Sequence, residues 1–333
     1  MPSSQLLLRL GASLVCAAGI ANAAYAVQDT FDSTNFFDQF SFFNGADPSG
    51  GFVDYVSQVE ANTSALAGYS NNAVYLGVDH TTINPIGGRG SVRVTSNKAY
   101  TKGLFIADIA HMPGSICGVW PAFWMFGPNW PGSGEIDIIE GVNTQSTNTI
   151  SLHTSSGCTM DGSGSLSTSS LASGDCHAGN GNTGCGFSTG DSSGYGNGFD
   201  AVGGGVYAME WTSQSIKVFF FPRSSIPADI TSGTPNVAGW GTPVASFSGS
   251  GCDIDSHFSN NNIVFDTTFC GQWAGQVWGS GSCASLAHTC DDYVGANPHA
   301  FTDAYWMINS VKVYQDAGTS KRDDGVTPLP FLA

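Results

Sequence analysis

The sequence predicts an all-β sandwich, and three observations support this prediction. Helical periodicity is nearly absent from the 333 residues, whereas alternating, β-branched and aromatic runs recur along the chain. Clusters of Gly, Pro, Asn and Ser separate these runs, as in sandwiches built from many short strands. Charged residues make up only 11% of the chain, a composition too poor in Lys and Glu for a helical bundle.

Eight runs are predicted to be strands, and one long insertion interrupts them. In chain order the runs are Ser91–Thr95, Leu104–His111, Glu135–Glu140, Thr147–Thr154, Val206–Trp211, Ser215–Phe221, Asn262–Phe269 and Trp306–Tyr314. The runs 206–211 and 215–221 are expected to form a hairpin through a three-residue turn. Residues 155–205 are rich in Gly, Ser and Asn and contain three Cys, which predicts a long ordered loop held by disulfides.

Both ends of the chain are predicted to lie outside the folded domain. Residues 1–26 combine Arg9, an apolar stretch and Ala-x-Ala sites, which are the marks of a cleaved secretion signal. A membrane anchor is the alternative, but Arg9 and Asn22 leave the apolar run too short to span a bilayer. The polar segment 318–333 is expected to be a flexible tail. Residues 27–317 are then one domain of a secreted, extracellular protein.

The charge balance bears on the partners of this protein. Ten Lys and Arg against 26 Asp and Glu give a formal net charge of −16. Such a surface repels phosphate backbones and anionic lipids, so neither nucleic acid nor a membrane surface is expected as a partner. The balance is typical of secreted enzymes that act on neutral polymers. We expect the protein to be a monomer.

Eight cysteines remain once Cys16 leaves with the signal, and an even number in an oxidising compartment predicts disulfides. They are Cys117, Cys158, Cys176, Cys185, Cys252, Cys270, Cys283 and Cys290. Eight cysteines allow roughly a hundred pairings, so the connectivity stays open. A metal site is the alternative, but there is no Cys-x-x-Cys and no His pair with ligand spacing, so we expect neither metal nor cofactor. The sequon Asn62-Thr63-Ser64 predicts a glycan on Asn62.

The candidate chemistry lies in one acidic strand. The chain has only four Glu, and two of them, Glu135 and Glu140, flank Asp137. In a regular strand Glu135 and Asp137 share a face, and Glu140 points to the opposite one. A β-bulge at Ile138-Ile139, with both residues opposite a single partner, would return Glu140 to the face of the other acids.

Carboxylates that lean toward a common point suit hydrolysis of a glycosidic bond with retained configuration, which needs two of them roughly 5 Å apart. Crowding three acids raises the pKa of at least one and keeps it protonated near the working pH. An acidic strand edge or part of a Ca²⁺ site is the alternative. The interleaved isoleucines oppose an exposed edge, because they require a buried opposite face.

Aromatic residues precede the acids. Trp120, Trp124 and Trp130 lie within the fifteen residues before Glu135, and Trp120 and Trp124 are predicted to share a strand face. Indole rings stack on the apolar faces of sugars. We therefore predict that Trp124 and Trp130 bind sugar, whereas for Trp120 a place in the core is an equal alternative.

The segment GEIDIIEGVN (134–143), after WPAFW (120–124), resembles the active-site strand of family-16 glycoside hydrolases, in particular their secreted fungal endo-1,3(4)-β-glucanases, or laminarinases. Further similar segments extend the resemblance over roughly residues 28–315; they are SVRVTS (91–96), HMP (111–113), HT (153–154), NTGCG (182–186), YAMEW (207–211), IKVFFFPR (216–223), 268–275 and 305–315. The resemblance implies a concanavalin-like β-jelly-roll sandwich whose concave sheet carries an open cleft. It also implies that 27–317 is the catalytic domain.

By this resemblance Glu135 is the nucleophile, Glu140 the acid/base and Asp137 the residue that supports the nucleophile. Further residues match or suit contacts with substrate; they are Trp124, Trp130, Trp273, His153, Arg93 and Trp120. For His153 the alternative is a satisfied sheet histidine, and for Arg93 a surface arginine. Glu210, on the hairpin, is interpreted as structural. The chain has Gln272 where related fungal enzymes usually have Asp, so a substrate contact is expected to differ there.

The implied function is endo-hydrolysis of β-1,3 and mixed β-1,3/1,4 glucans, such as laminarin and lichenan, through a covalent glycosyl-enzyme intermediate. A cell-wall glucan transglycosylase of the same family is one alternative, because it shares the first half of that reaction. A lectin-like glucan-binding module is another, since jelly rolls often only bind sugars. Such a module would not need Glu135 and Glu140 together.

Overall fold

The computed structural model describes residues 25–166, 168–179 and 182–316, in which strands dominate. The strands in chain order are β1 (Tyr25–Asp32), β2 (Phe40–Phe42), β3 (Val53–Tyr55), β4 (Ala67–Ser70), β5 (Ala73–Leu76), β6 (Arg89–Ser91), β7 (Arg93–Tyr100), β8 (Gly103–His111), β9 (Val119–Phe126), β10 (Glu135–Glu140), β11 (Thr149–His153), β12 (Thr159–Asp161), β13 (Ser170–Ser173), β14 (Ala178–Gly179), β15 (Asn182–Thr183), β16 (Cys185–Ser188), β17 (Gly205–Trp211), β18 (Ser215–Pro222), β19 (Ala245–Gly251), β20 (Asn261–Phe269) and β21 (Trp306–Asp316).

Most strands belong to two stacked antiparallel sheets, which confirms the predicted all-β sandwich. One sheet has nine strands in the order β12-β19-β18-β17-β8-β21-β5-β4, with β1 also paired to β21. The other has eight in the order β13-β16-β11-β10-β9-β20-β7-β2. The acidic strand β10 lies near the middle of the eight-stranded sheet. The short pairs β3–β6 and β14–β15 form two small sheets of their own.

Each predicted strand coincides with or overlaps an observed one, and the predicted hairpin is β17–β18, paired in regular register from Gly205 with Pro222 to Trp211 with Ile216. The described residues also form six short α-helices that were not predicted; they are α1 (Phe36–Gln39), α2 (Gln58–Thr63), α3 (Gly196–Ala201), α4 (Ala228–Thr231), α5 (Ile254–His257) and α6 (Cys290–Ala296). The longest has seven residues, too few for a helical period to stand out in the sequence.

The insertion 155–205 is ordered as predicted, but it is not simply a loop. It supplies β12 to the nine-stranded sheet and β13 and β16 to the eight-stranded sheet. These strands are at most four residues long, so alternation could not reveal them. Disulfides Cys158–Cys252 and Cys176–Cys185 fix the insertion.

All eight predicted cysteines are paired, and the remaining two disulfides are Cys117–Cys283 and Cys270–Cys290. Cys117–Cys283 joins the segment 270–290 to the chain just before β9, and Cys270–Cys290 joins the two ends of that segment. Between the large sheets lies the main apolar core, to which β10 contributes Ile136, Ile138 and Ile139. The isoleucines thus have the buried face that their spacing requires.

The ends of the chain fall largely outside the described residues. The predicted signal 1–26 does so except for Tyr25 and Ala26, which begin β1 and pair with Asp316 and Gln315. The predicted tail 318–333 lies wholly outside. Within the described ranges, no helix combines the length and apolar character needed to cross a bilayer.

Candidate active site

A β-bulge brings the three acids to one face of β10, as the sequence predicted. On one side β10 pairs with β11 in register until Asp137 faces Ser151, and Glu140 then faces Thr149. On the other side Asp137 faces Trp124 and Ile139 faces Phe123, so β10 carries one residue more than β9. The extra residue reverses the alternation after Ile138 and Ile139. Glu135 and Glu140 are therefore partly exposed, while the isoleucines stay in the core. We call this side of β10 the acidic face.

His153 joins the acids from the neighbouring strand. It lies opposite Glu135 in β11, and its Nε2 is 3.0 Å from Oδ2 of Asp137 and 3.9 Å from Oε1 of Glu135. Asp137 is only 2% exposed, and no conventional hydrogen bond to its Oδ2 occurs within the described residues. The contact with His153 is therefore what compensates the burial of that oxygen.

Two tryptophans bind the two glutamates separately. Trp130 Nε1 donates to Oε2 of Glu135, and Trp120 Nε1 donates to Oε1 of Glu140 at 2.8 Å. Trp130 is 54% exposed, so much of its ring is free to meet a ligand. Trp120 is partly exposed on the acidic side of the sheet, which excludes the alternative that it is a core residue.

The crowding of these groups shifts their pKa values. Burial, followed by the charge of Asp137, raises the pKa of Glu135 to about 8. Burial and Asp137 also raise the pKa of Glu140 well above its ordinary value. For His153 burial disfavours the charged ring, but the contact with Asp137 and the neighbouring glutamates outweigh it and raise the pKa to about 10. Near neutral pH a proton therefore stays on at least one glutamate, beside a cationic histidine.

Trp124 lies on the same face, next to Asp137, and three groups orient it. Its Nε1 donates to Oδ1 of Asp266 at 3.2 Å, and its ring stacks with Phe126 at a centroid distance of 5.0 Å. The Arg93 guanidinium lies 4.9 Å from the Trp124 centroid. Arg93 is 8% exposed and its Nε is buried without a partner among the described residues, so it is not a surface arginine.

Asp266, in β20, was missed by the sequence reasoning. It is 6% exposed, and its second oxygen accepts from the Tyr55 hydroxyl at 2.8 Å. Burial raises the pKa of Asp266 to about 6, although Arg93 opposes the shift. The signal that could have revealed it is an acid at the centre of the apolar run Ile263–Phe269.

Trp273 extends the site beyond Glu140. It lies in the turn Gly271–Gly275, edge-on to Trp120 with the ring centroids 5.6 Å apart. Next to it is a cavity of about 300 Å³, lined among others by Val142, Asn143, Gln145 and Trp278. The structure thus gathers all nine residues predicted for catalysis and substrate contact on or beside the acidic face.

The remaining predicted positions lie elsewhere. Asn62 is exposed on α2, a position open to a glycan. Glu210, on the other sheet, accepts from the Tyr25 hydroxyl and lies 3.4 Å from Lys217 Nζ, in keeping with a structural role.

Three side chains of the site also have metal-ligand character. Ligand atoms of Glu135, Asp137 and His153 lie within 4.8 Å of one another. Two further groupings contain cysteines that the disulfides already occupy.

The stacked sheets and the bulged acidic strand define a β-jelly roll that carries three carboxyl groups on one face of a sheet. The chain matches the XgeA-like catalytic domain of family-16 glycoside hydrolases over residues 40–314. It therefore belongs to that family, as its motifs predicted.

Relatives and solved structures agree with this membership. The chain is 46% identical to a probable endo-1,3(4)-β-glucanase of Aspergillus fumigatus, over 95% of this chain and 50% of the relative. It is 44% identical to the endo-1,3(4)-β-glucanase xgeA of Emericella nidulans, over 96% of this chain and 53% of the relative. The chain thus spans about half the length of these curated relatives.

Two solved structures are similar along their whole length. Laminarinase 16A of Phanerochaete chrysosporium, with β-glucans in donor and acceptor sites, superposes with a TM-score of 0.82 at 45% identity, covering 88% of this chain and 100% of that one. An elongating family-16 β-1,3-glucosyltransferase superposes with a TM-score of 0.81 at 47% identity, covering 87% of this chain and 100% of that one.

Proposed function

We propose that this domain is a retaining endo-β-glucanase that hydrolyses β-1,3 and mixed β-1,3/1,4 glucans such as laminarin and lichenan. The observation that carries the proposal is the bulge, which sets Glu135, Asp137 and Glu140 on one face although their spacing alone would divide them. Retaining hydrolysis needs a charged and a protonated carboxyl together. The pKa of Glu140, which burial raises well above its ordinary value, supplies the protonated one.

In the proposed first step, the Glu135 carboxylate attacks the anomeric carbon while Glu140 gives its proton to the departing glycosidic oxygen. The bond between carbon and oxygen breaks, and a glycosyl ester forms on Glu135. In the second step Glu140, now a carboxylate, takes a proton from water as the water oxygen attacks the same carbon. The ester breaks, the sugar leaves with its original configuration, and Glu140 is protonated again.

The neighbours support these roles in different ways. The cationic His153 lies beside Glu135, where it stabilises the carboxylate charge as the ester forms and breaks, whereas the charge of Asp137 raises the pKa of Glu135. Trp130 and Trp124 supply ring surface on the Glu135 side, and Trp120 and Trp273 supply it on the Glu140 side. The guanidinium of Arg93 lies over the ring of Trp124 and supports the orientation of that ring.

Transglycosylation is the second candidate, and one observation favours it. A solved structure 47% identical to this chain is an elongating β-1,3-glucosyltransferase, so the same scaffold passes a glycosyl group to another sugar. The cavity beside Trp273, on the acid/base side, has room for such an acceptor. Hydrolysis is preferred because the curated relatives are glucanases. A lectin-like module is disfavoured because it has no use for both glutamates.

The cellular setting is part of the proposal. Four disulfides, the fungal glucanase relatives and the net charge of −16 support a secreted monomer with a glycan on Asn62 and no nucleic-acid or membrane partner. No cofactor takes part in the proposed steps.

Product analysis tests the function directly. The protein is incubated with laminarin, lichenan and cellulose, and early products are resolved by chain length and by the anomer that proton NMR detects first. We expect internal cleavage of laminarin and lichenan, β-anomers first, and no action on cellulose. Products longer than the substrate would favour transglycosylation, whereas α-anomers first or no cleavage at all would overturn the proposal.

A further inference from the structure

The bulge in β10 leaves two backbone groups that the neighbouring strand does not pair, and one side chain binds both of them. Asn148 lies between β10 and β11 and is 0% exposed. Its Oδ1 accepts the backbone N–H of Glu140 at 2.9 Å, and its Nδ2 donates to the backbone carbonyl of Ile138 at 2.8 Å. The amide thus replaces the sheet hydrogen bonds that the extra residue interrupts.

Asn148 is itself held firmly. Its backbone carbonyl accepts from the backbone N–H of Thr189 at 2.9 Å and from Thr189 Oγ1 at 3.1 Å. Its backbone N–H donates to the same Oγ1 at 3.1 Å. Asn148 also contacts the hydroxyl of Tyr207, a buried residue of the opposite sheet. The amide that braces the bulge is therefore fixed from the insertion and from the core.

The two glutamates differ in how much they depend on such a brace. Glu135 lies in regular register with Phe126 on one side and His153 on the other. Glu140 follows the irregular step, and the hydrogen bond from its backbone to Asn148 fixes it there. Losing that bond frees Glu140 to turn toward the alternation of a regular strand, which points into the core.

We propose that Asn148 is a positioning residue for the acid/base carboxylate: its side-chain amide holds the bulge in the form that presents Glu140 to the substrate. The inference rests on the proposed function, because it assigns Asn148 to the step that Glu140 performs. Asn148 touches neither substrate nor reacting atoms.

The test compares Asn148→Ala with a matched control, Asn35→Ala. Asn35 also bridges two backbone groups with its amide, accepting from Asp32 N–H at 3.0 Å and donating to the Thr30 carbonyl at 2.9 Å, but it does so in the turn after β1. The second variant, Asn148→Asp, keeps the shape and the acceptor but replaces the amide donor with a carboxyl group, which can donate to the Ile138 carbonyl only when it is protonated. Thermal melts establish which variants are folded at the assay temperature.

Azide separates a positioning defect from general damage. A dinitrophenyl β-laminaribioside needs no acid to release its leaving group, and azide needs no base to attack the glycosyl ester. For Asn148→Ala we expect kcat/KM on laminarin to fall about 100-fold, as for a misplaced catalytic group. On the activated substrate, azide should accelerate turnover severalfold and give the β-glycosyl azide. Asn148→Asp should fall between this variant and wild type.

Other outcomes would overturn the inference. Asn35→Ala should keep activity within about twofold of wild type and ignore azide, since the turn after β1 lies away from the acidic face. Equal loss on both substrates without an azide response would make Asn148 a purely structural residue. The positioning role would also be refuted if Asn148→Ala kept near-wild-type activity, or if neither Asn148 variant folded.

Glu140→Ala, assayed in parallel, distinguishes the two proposals. Azide rescue of Glu140→Ala without rescue of Asn148→Ala would refute the positioning role and leave the proposed function intact. No rescue of Glu140→Ala would mean that Glu140 is not the acid/base, and both proposals would fall.

Discussion

The two ends of the acidic strand hold the same type of side chain in different surroundings. Glu135 lies in regular register, beside the cationic His153 and under an indole that is 54% exposed. Glu140 follows the bulge, is bound by the half-buried Trp120, and has the buried Tyr195 as a neighbour. The difference teaches how one strand can supply two roles: burial raises both pKa values, but the adjacent cation and solvent oppose the rise at Glu135, whereas enclosure keeps the proton on Glu140.

The largest expected effect comes from removing either carboxylate. Glu135→Gln and Glu140→Gln should each lower laminarin hydrolysis by more than about 100-fold, because one loses the nucleophile and the other the proton donor. Initial rates together with thermal melts measure this. The comparison of the two ends becomes sharper with azide and alanine variants: Glu140→Ala should give the retained azide adduct and Glu135→Ala the inverted one. Identical adducts would mean that the roles are misassigned.

The next effect tests the surface beside Asp137. Trp124→Ala should lower kcat/KM on laminarin at least about tenfold with little change in stability, because lost stacking removes binding energy used in the transition state. The control is Trp211→Ala on the opposite sheet: Trp211 is 1% exposed, and its truncation should cost roughly 3–5 kcal/mol of stability. A denaturant melt of each variant measures this loss of stability. If Trp124→Ala behaves like Trp211→Ala, Trp124 is a core residue.

A smaller effect concerns stability and pH. The pKa of Glu135 is raised from 4.5 to about 8, so between these values the folded protein holds a proton that the unfolded chain releases. Stability should therefore fall as pH rises through this window, and the raised pKa values of Asp266 (about 6) and His153 (about 10) act in the same direction.

Melting temperatures between pH 4 and pH 8 test this expectation. Glu135→Gln should melt higher than wild type near pH 7 and equally near pH 4, because the neutral amide has no proton to lose. The same experiment on Glu140→Gln extends the comparison to the other end of the strand. A wild-type melting temperature that rises with pH would contradict the raised pKa values.

The smallest effect is expected at Gln272, where the family resemblance leads us to expect Asp. Gln272 is exposed and its backbone N–H is bound to the Ser49 carbonyl, so its side chain does not hold the turn that carries Trp273. Gln272→Asp should change kcat/KM on laminarin by less than about twofold, as exposed substitutions usually do. Trp273→Ala is the matched comparison and should cost more. A larger effect of Gln272→Asp would place a substrate contact at this position.

The acids and their bulge could be predicted from the sequence. Ile136, Ile138 and Ile139 share one buried face only if a bulge falls at Ile138-Ile139, and that bulge leaves the three acids together on the other face. The disulfide pairing was not readable, since composition does not choose among pairings. Asp266 and Asn148 were missed for a related reason: each acts on a residue of another strand or turn, and only the register brings them together. The strands of the insertion were missed because pairing with longer strands, not their own pattern, stabilises them.

The bulge also constrains how this strand can change. Deleting either Ile138 or Ile139 would remove the extra residue, and regular alternation would then keep the last glutamate on the face of Glu135 and Asp137. Straightening the strand at its present length, or inserting a further residue beside the bulge, would instead turn Glu140 into the apolar core. Two forms of this strand therefore present all three acids on one side: the bulged form with two isoleucines before the last glutamate, and a regular form with one. A single-residue deletion converts the first form into the second, whereas a single-residue insertion does not leave a working site.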